Sequence, residues 1–100
     1  MIKHIVLWKL KETAHGKSRL ENAKVIKDML ESLHGKIPGL LKIEAGIDFS
    51  GTEQSADVVL YSEFTTREAL EEYQTHVAHE AVKVYLMGAR TERRIADYEV

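Results

Sequence analysis

The first strand predicted by the sequence carries large apolar side chains on both faces, and this feature constrains the fold more than any other. Residues 2–10, IKHIVLWKL, alternate in the way that a β-strand does. One face carries Ile2, His4, Val6, Trp8 and Leu10, and the other carries Lys3, Ile5, Leu7 and Lys9. A strand that is solvated on one side needs only one apolar face, so this pattern predicts a sheet that is covered on both sides.

The remaining elements follow in the order of a known small fold. Ser18 and Glu21 form a capping box that begins an amphipathic helix, and this helix ends near Gly35, before Pro38. Further strands are predicted at 40–48, 57–64 and 93–100. Thr65 and Glu68 form a second capping box, which begins a helical segment through Tyr73, and another helical segment is predicted from Ala78 to Met87. The βαββαβ order predicts a ferredoxin-like α+β fold, in which a four-stranded antiparallel sheet carries its helices on one face.

The length of the chain predicts a second copy on the other face of that sheet. One hundred residues make a single domain, 1–100, with no chain left for another layer. The strand at 57–64 repeats the two-faced pattern, with Val58 and Leu60 on one face and Val59 and Tyr61 on the other. We therefore expect a homodimer that packs sheet against sheet.

Composition excludes several classes of protein. Lys plus Arg number 14 and Asp plus Glu number 16, a net charge of −2 that argues against a nucleic-acid binder and gives no reason to expect a membrane partner. The apolar run Ile5–Trp8 is too short for a signal peptide or a membrane span, and the lack of cysteine fits a cytoplasmic location. Arg90, Arg93 and Arg94 form a basic run that is more typical of a solvated strand edge than of an anion site.

The segment 73–82, YQTHVAHEAV, holds most of the candidate chemistry. In an unbroken helix Tyr73 and His79 would point in different directions, but a bend at His76 to Ala78 would let both face one cavity. They would then suit an acid–base pair, with a neutral imidazole as base and a phenol holding an oxyanion. The alternative is a core tyrosine beside a packed histidine. The spacing of His76 and His79 would also suit a metal, but cysteine is absent and only Asp57 and Glu80 could be recruited as further ligands, so we predict no metal site.

Several stretches together resemble one family. The opening MIKHIVLWKLK, the IPGL of residues 37–40, and the closing EYQTHVAHEAV and IADYEV have the order and spacing of the Dabb family, the stress-responsive dimeric α/β barrel domain. The resemblance spans essentially the whole chain. It implies a ferredoxin-like protomer whose sheet pairs with the sheet of a partner.

The resemblance also implies roles for particular residues. The family includes plant polyketide cyclases similar to olivetolic acid cyclase, which work without a metal or organic cofactor and whose acid–base pair corresponds to Tyr73 and His79. His4 matches a pocket histidine, and Val6 and Trp8 share its strand face as candidate binding residues. His76 matches the first histidine of an HPxH pattern, in which Val77 replaces the proline. Asp57, also a candidate binding residue, stands where the cyclases carry a histidine.

Two classes of function remain open at this point. The first is a cofactor-free cyclase, isomerase or lyase that acts on a small carbonyl or aromatic compound in a pocket between sheet and helices. The second is a non-catalytic, stress-induced dimer that binds a ligand or serves as a scaffold. A weaker third class, cofactorless monooxygenases, comes from the wider superfamily. Fold alone does not choose among them.

Overall fold

The computed structural model describes residues 1–100 and confirms the predicted ferredoxin-like α+β fold. The strands of the main sheet are β1 (Ile2–Leu10), β4 (Leu40–Ile47), β5 (Val58–Phe64) and β6 (Arg90–Glu99), in the spatial order β4-β5-β1-β6 and antiparallel throughout. The helices are α1 (Arg19–Glu31), α2 (Arg67–Thr75) and α3 (Val77–Ala89). None of the three is both long and apolar enough to cross a membrane.

Helix α1 begins where the capping box predicts and ends a turn early. The Ser18 hydroxyl accepts a hydrogen bond from the Glu21 amide, and the Glu21 carboxylate accepts one from the Ser18 amide. The helix stops at Glu31, ahead of Gly35, whose φ of +79° favours glycine. Leu33 and Ile37, which the sequence placed on the helical stripe, lie in the turn beyond the helix and are still buried in the core.

The second capping box was placed one residue too early. The N-cap of α2 is Thr66, whose hydroxyl accepts a hydrogen bond from the Ala69 amide. Thr65 instead pairs its backbone amide with the carbonyl of Gly39, which ties the end of β5 to the turn before β4. The helix is therefore capped by the second threonine, and Glu68 lies in its first turn.

A short hairpin lies between β1 and α1. Strands β2 (Thr13–Ala14) and β3 (Lys17–Ser18) pair around His15 and Gly16, which both have positive φ, as a two-residue hairpin turn of this kind requires. The His15 ring stacks on Tyr85 of α3 at a centroid distance of 4.0 Å, so the hairpin is docked against the helical layer.

The helices cover one face of the sheet, as predicted, but they do not cover all of it. Residues directly opposite in paired strands point to the same face, so Arg93, Ile95 and Asp97 of β6 share the helical side with their partners on β1. The β1 residues of this face are buried, whereas Ile95 is 43% exposed. The helix-facing side of β6 is therefore exposed to solvent beside the core.

Gly39 fixes the position of α2 on the sheet. Its φ is +80°, and a Cβ atom added there would lie 2.6 Å from the Cβ of Ala69 on α2. We expect Gly39→Ala to lower the free energy of unfolding by about 2–4 kcal/mol, because backbone strain adds to a clash with a packed helix. Gly51→Ala is the matched control, since Gly51 has a φ of +63° with open space around it, and it should cost only about 1 kcal/mol. Urea denaturation measures both, and equal losses would contradict the assignment.

Candidate functional site

The bend that the sequence required lies at His76. This residue has φ −66° and ψ 137°, an extended conformation that separates α2 from α3. Its Nδ1 atom accepts a hydrogen bond of 3.0 Å from the Ala78 amide, so the imidazole caps α3. Val77 is the first residue of α3, a position that proline also favours, and the break forms here without the proline of the HPxH pattern.

The break stacks the two rings that the sequence singled out. The centroids of Tyr73 and His79 lie 4.2 Å apart with an angle of 24° between the ring planes. In a continuous helix of 3.6 residues per turn, a separation of six would have placed these rings on different faces. The two side chains therefore meet only because the chain changes direction between them.

The hydroxyl of Tyr73 is buried and has no hydrogen-bond partner. Its ring packs against Phe64 at a centroid distance of 5.1 Å and edge-on against His4 at 6.0 Å. Burial raises the pKa of Tyr73 well above its usual range, and the positive charge of Arg93 only partly opposes this. At neutral pH the side chain is a phenol with a proton to donate.

His79 is also buried, and its Nδ1 atom has no hydrogen-bond partner. Burial lowers the pKa of His79 to about 4, and the positive charge of Lys83 acts in the same direction. The carbonyl of Gln74, which approaches the imidazole without the geometry of a hydrogen bond to it, and the carboxylate of Glu80 partly offset the effect. The imidazole is therefore neutral at neutral pH and able to accept a proton at one nitrogen.

His4 joins this group from β1. It is buried, and its Nδ1 atom hydrogen-bonds to the Asp97 carboxylate, which reaches it from β6. The Ser62 hydroxyl donates to the His4 carbonyl oxygen at 3.0 Å, which fixes the backbone at this point. A carboxylate on one ring nitrogen sets the orientation of an imidazole, so Asp97 holds the ring of His4 edge-on to Tyr73.

A cavity of about 260 Å³ opens beside these rings, between α3 and β6. His79 and Trp8 line it, whereas Tyr73 lies behind His79 in the core. Of the predicted binding residues only Trp8 lines the cavity. His4 and His76 do not line it, and Val6 is buried opposite Ile95 in the middle of the sheet.

The structure does not bring Asp57 to this site. Its carboxylate accepts a hydrogen bond of 2.7 Å from the Leu10 amide and lies 4.0 Å from the Arg19 guanidinium. It lines a separate polar cavity of about 590 Å³ at the end of β1, which Lys9 and Lys11 also line. Where the cyclases carry a histidine, this chain has a carboxylate that ties β1 to β5.

Three charged residues near the rings were not among the candidates from the sequence, namely Arg93 and Asp97 on β6 and Lys83 on α3. The alternation of β6 does put Arg93 and Asp97 on one face, but only the pairing of β6 with β1 shows that this face is the helical one. No group of three His, Cys, Asp or Glu side chains is arranged to hold a metal ion.

Comparison with known proteins places the chain in a family. The family model described as "Stress responsive A/B Barrel Domain", Dabb, matches residues 2–100. No curated protein matches the chain.

Solved structures share the ferredoxin-like fold. The chain is similar to a dimeric protein of unknown function with a ferredoxin-like fold from Bacteroides fragilis, with 32% identity, coverage of 99% of this chain and 95% of that one, and a TM-score of 0.87. A Dabb family protein from Mesorhizobium loti is 21% identical over 99% of this chain and 95% of that one, with a TM-score of 0.75.

One enzyme shares the fold at lower identity. A hydroxynitrile lyase from Passiflora edulis is 13% identical over 99% of this chain and 92% of its own, with a TM-score of 0.80, and this shows a common fold alone. The family prediction is thus confirmed over essentially the full length of the sequence: the chain belongs to the stress-responsive α/β barrel domain family, Dabb.

Proposed function

We propose that this protein is a cofactor-free enzyme that moves a proton on a small carbonyl or aromatic compound, with Tyr73 and His79 as its acid–base pair. One observation carries the proposal. Two buried polar atoms, the Tyr73 hydroxyl and His79 Nδ1, lie on adjacent stacked rings, and neither has a partner. Buried polar groups are nearly always hydrogen-bonded in native proteins, so two unpaired ones side by side mark a place where a ligand supplies the partner.

The protonation states suit a reaction of the cyclase, isomerase or lyase type. The neutral imidazole of His79 accepts a proton from carbon or oxygen, and the protonated phenol of Tyr73 donates a hydrogen bond to the oxyanion that forms. His4 stands behind the phenol in the orientation that Asp97 sets. A small side-chain motion is part of the proposal, because Tyr73 is enclosed and its hydroxyl must be uncovered to reach a ligand.

The burial of the same two side chains favours the second candidate, a non-catalytic ligand-binding or scaffold dimer. Tyr73 packs against Phe64 and His4 in the manner of a core residue, and His79 is only 7% exposed. In a scaffold these rings would contribute packing alone. The two candidates therefore differ in what the Tyr73 hydroxyl does, and substitution of that atom separates them.

We also propose that the protein is a homodimer through the face of the sheet opposite the helices. That face presents a partly exposed apolar patch, composed of Ile5, Leu7, Val59, Tyr61, Ala96 and Tyr98. A charged rim borders it, where Lys3 and Lys42 each approach the Tyr61 ring and the Tyr61 hydroxyl donates to Glu63. The related protein from Bacteroides fragilis is described as dimeric, and an apolar centre within a polar rim is the usual anatomy of an interface.

Removal of the Tyr73 hydroxyl tests the catalytic proposal. Tyr73→Phe should keep or slightly raise stability, since it deletes an unpaired buried hydroxyl, yet it should slow α-proton exchange on a carbonyl substrate by about 10²-fold or more. The assay follows deuterium uptake by a panel of small ketones and aldehydes in D₂O by proton NMR.

Tyr85→Phe is the matched control for that variant. The Tyr85 hydroxyl donates to the Asn22 side chain at 2.5 Å, outside the cavity, so its loss should cost about 1–3 kcal/mol of stability and leave exchange unchanged. If no compound exchanges faster with wild type than with Tyr73→Phe, the protein is not this enzyme and the scaffold candidate stands.

The neutral state of His79 has a consequence for stability. Its pKa is about 4 in the folded protein and near 6.5 when unfolded, so the unfolded chain binds the extra proton first as the pH falls. The contribution of neutral His79 to the free energy of unfolding is fully present above pH 6.5, and about 3 kcal/mol of it is lost as the pH falls toward 4. Chemical denaturation between pH 7 and pH 4 should show this loss relative to His79→Gln, which has no proton to gain. If the free energies of unfolding of the two proteins change in parallel with pH, the pKa of His79 is not lowered in the folded protein.

The dimer has its own test. Leu7→Lys places an ammonium in the apolar patch, on the same face as Arg94, and should raise the dimer dissociation constant by about a hundredfold or more, because an unpaired buried charge costs several kcal/mol. Leu20→Lys is the matched control, an exposed leucine on α1. Sedimentation equilibrium at micromolar concentration compares them with wild type. A monomeric wild-type protein, or a Leu7→Lys variant as dimeric as the control, would contradict the proposed interface.

A further inference from the structure

The basic run near the C-terminus is divided between the two faces of the sheet. Arg93 pairs with Trp8 and therefore points to the helical side, whereas Arg94 pairs with Leu7 and points to the opposite side. Arg90 lies where α3 turns into β6 and lines the same cavity as Arg93. Lys83 of α3 is the third cation of that cavity, and none of the residues that line it is a carboxylate.

The two guanidinium groups of this cavity have no partner within the protein. Neither Arg90 nor Arg93 forms an ion pair or donates a side-chain hydrogen bond. Lys83 differs, since its ammonium donates to the Gln74 carbonyl at 2.9 Å and to the Glu80 carboxylate at 3.3 Å. Burial lowers the pKa of Arg93 and the nearby charge of Arg90 lowers it further, while the charge of the Asp97 carboxylate acts in the opposite direction. Two like charges thus lie close together, an arrangement that an anion relieves.

Besides the three cations, Gln74 and His79, the cavity wall is apolar. Trp8 lies on the sheet side, and Leu86 and Met87 lie on α3. The volume of about 260 Å³ is just below the range of about 300–1,000 Å³ usual for sites that take drug-sized ligands. The space therefore fits a small organic molecule with one anionic end better than it fits a bare inorganic ion or a polyanion.

We propose that Arg90 and Arg93 bind the carboxylate of a small organic acid whose apolar body lies against Trp8 and Leu86, next to His79. This inference rests on the proposed function, because it names the substrate class of the same site. A guanidinium suits the task, since its fork of N–H donors matches a carboxylate in two parallel hydrogen bonds. The substrate is then a carbonyl compound that also carries a carboxylate.

Benzoate is the probe, and benzamide is its neutral counterpart of the same shape. Titration of the ¹⁵N-labelled protein at low ionic strength should show benzoate shifting resonances of the cavity residues, with benzamide binding at least tenfold more weakly. Arg93→Gln and Arg90→Gln should each weaken benzoate binding by about tenfold or more, the usual range for loss of a charge-assisted hydrogen bond. Arg94→Gln removes the same charge one residue further along and should change binding by less than about twofold.

Each alternative outcome would overturn the inference. Equal weakening by Arg94→Gln would mean a diffuse charge effect, benzamide binding as tightly as benzoate would mean an apolar site, and inorganic phosphate binding as tightly as benzoate would mean an unselective anion site. Circular dichroism and size-exclusion chromatography verify the fold and assembly of each variant. If Arg93→Gln does not fold, Arg93→Lys replaces it, because lysine keeps the charge and lacks the paired N–H donors of the guanidinium. Benzoate binding that is unchanged in Arg93→Lys would count against the inference.

The result separates this inference from the proposed function. If benzoate binds and depends on Arg90 and Arg93 while no carbonyl compound exchanges its proton, the anion site stands and the enzyme does not. If exchange depends on Tyr73 while benzoate binding ignores both arginines, the enzyme stands and the anion site does not.

Discussion

The whole structure depends on β1, because it is the central strand that supplies both faces of the sheet. It pairs with β5 on one side and with β6 on the other, and the pairing with β6 puts Arg93 and Asp97 on the helical face. On the helical face it holds His4 and Trp8 against the core, and on the opposite face it holds Ile5 and Leu7 toward the proposed partner. An interior strand with apolar residues on one face only would have sufficed for a monomer.

The helix break at His76 is the second constraint, and it depends on the first. Gly39 seats α2 against the sheet so that the Tyr73 ring packs on Phe64, and His76 then turns the chain so that α3 lays His79 on the other side of that ring. The capping bond from the Ala78 amide makes this turn without a proline. A histidine that sequence comparison suggests as a ligand-binding residue thus has a clear structural role.

Much of the fold could be predicted because it follows from local patterns. Strand alternation from Ile2 to Leu10 and the capping box at Ser18 each act within a few residues, and both were confirmed. The predictions that were wrong or incomplete depend on distant contacts. The cap of α2 is Thr66, whereas the amide of Thr65 pairs with the carbonyl of Gly39, 26 residues earlier in the chain.

The candidate site shows the same division. The meeting of Tyr73 and His79 was predicted once a bend was allowed, since all the residues concerned lie in one short segment. The roles of Asp57 and Asp97 could not be predicted, because they depend on which strand end or strand face each occupies. Asp57 bonds to the Leu10 amide, and Asp97 bonds to His4 across the sheet.

The cavity beside α3 concentrates features that lower the stability of a protein. Each unpaired buried polar atom costs about 1–3 kcal/mol, and the hydroxyl of Tyr73 and Nδ1 of His79 are such atoms. The unpaired guanidinium groups of Arg90 and Arg93 lie around the same space, where burial, and after it the charge of Lys83, lowers the pKa of His79 to about 4. A base of that pKa accepts protons poorly at neutral pH, but a carboxylate bound by the two arginines would lie next to the imidazole and make it more basic. One anionic ligand would therefore do two things, because its negative charge would pair with the arginines and would also make His79 a stronger base.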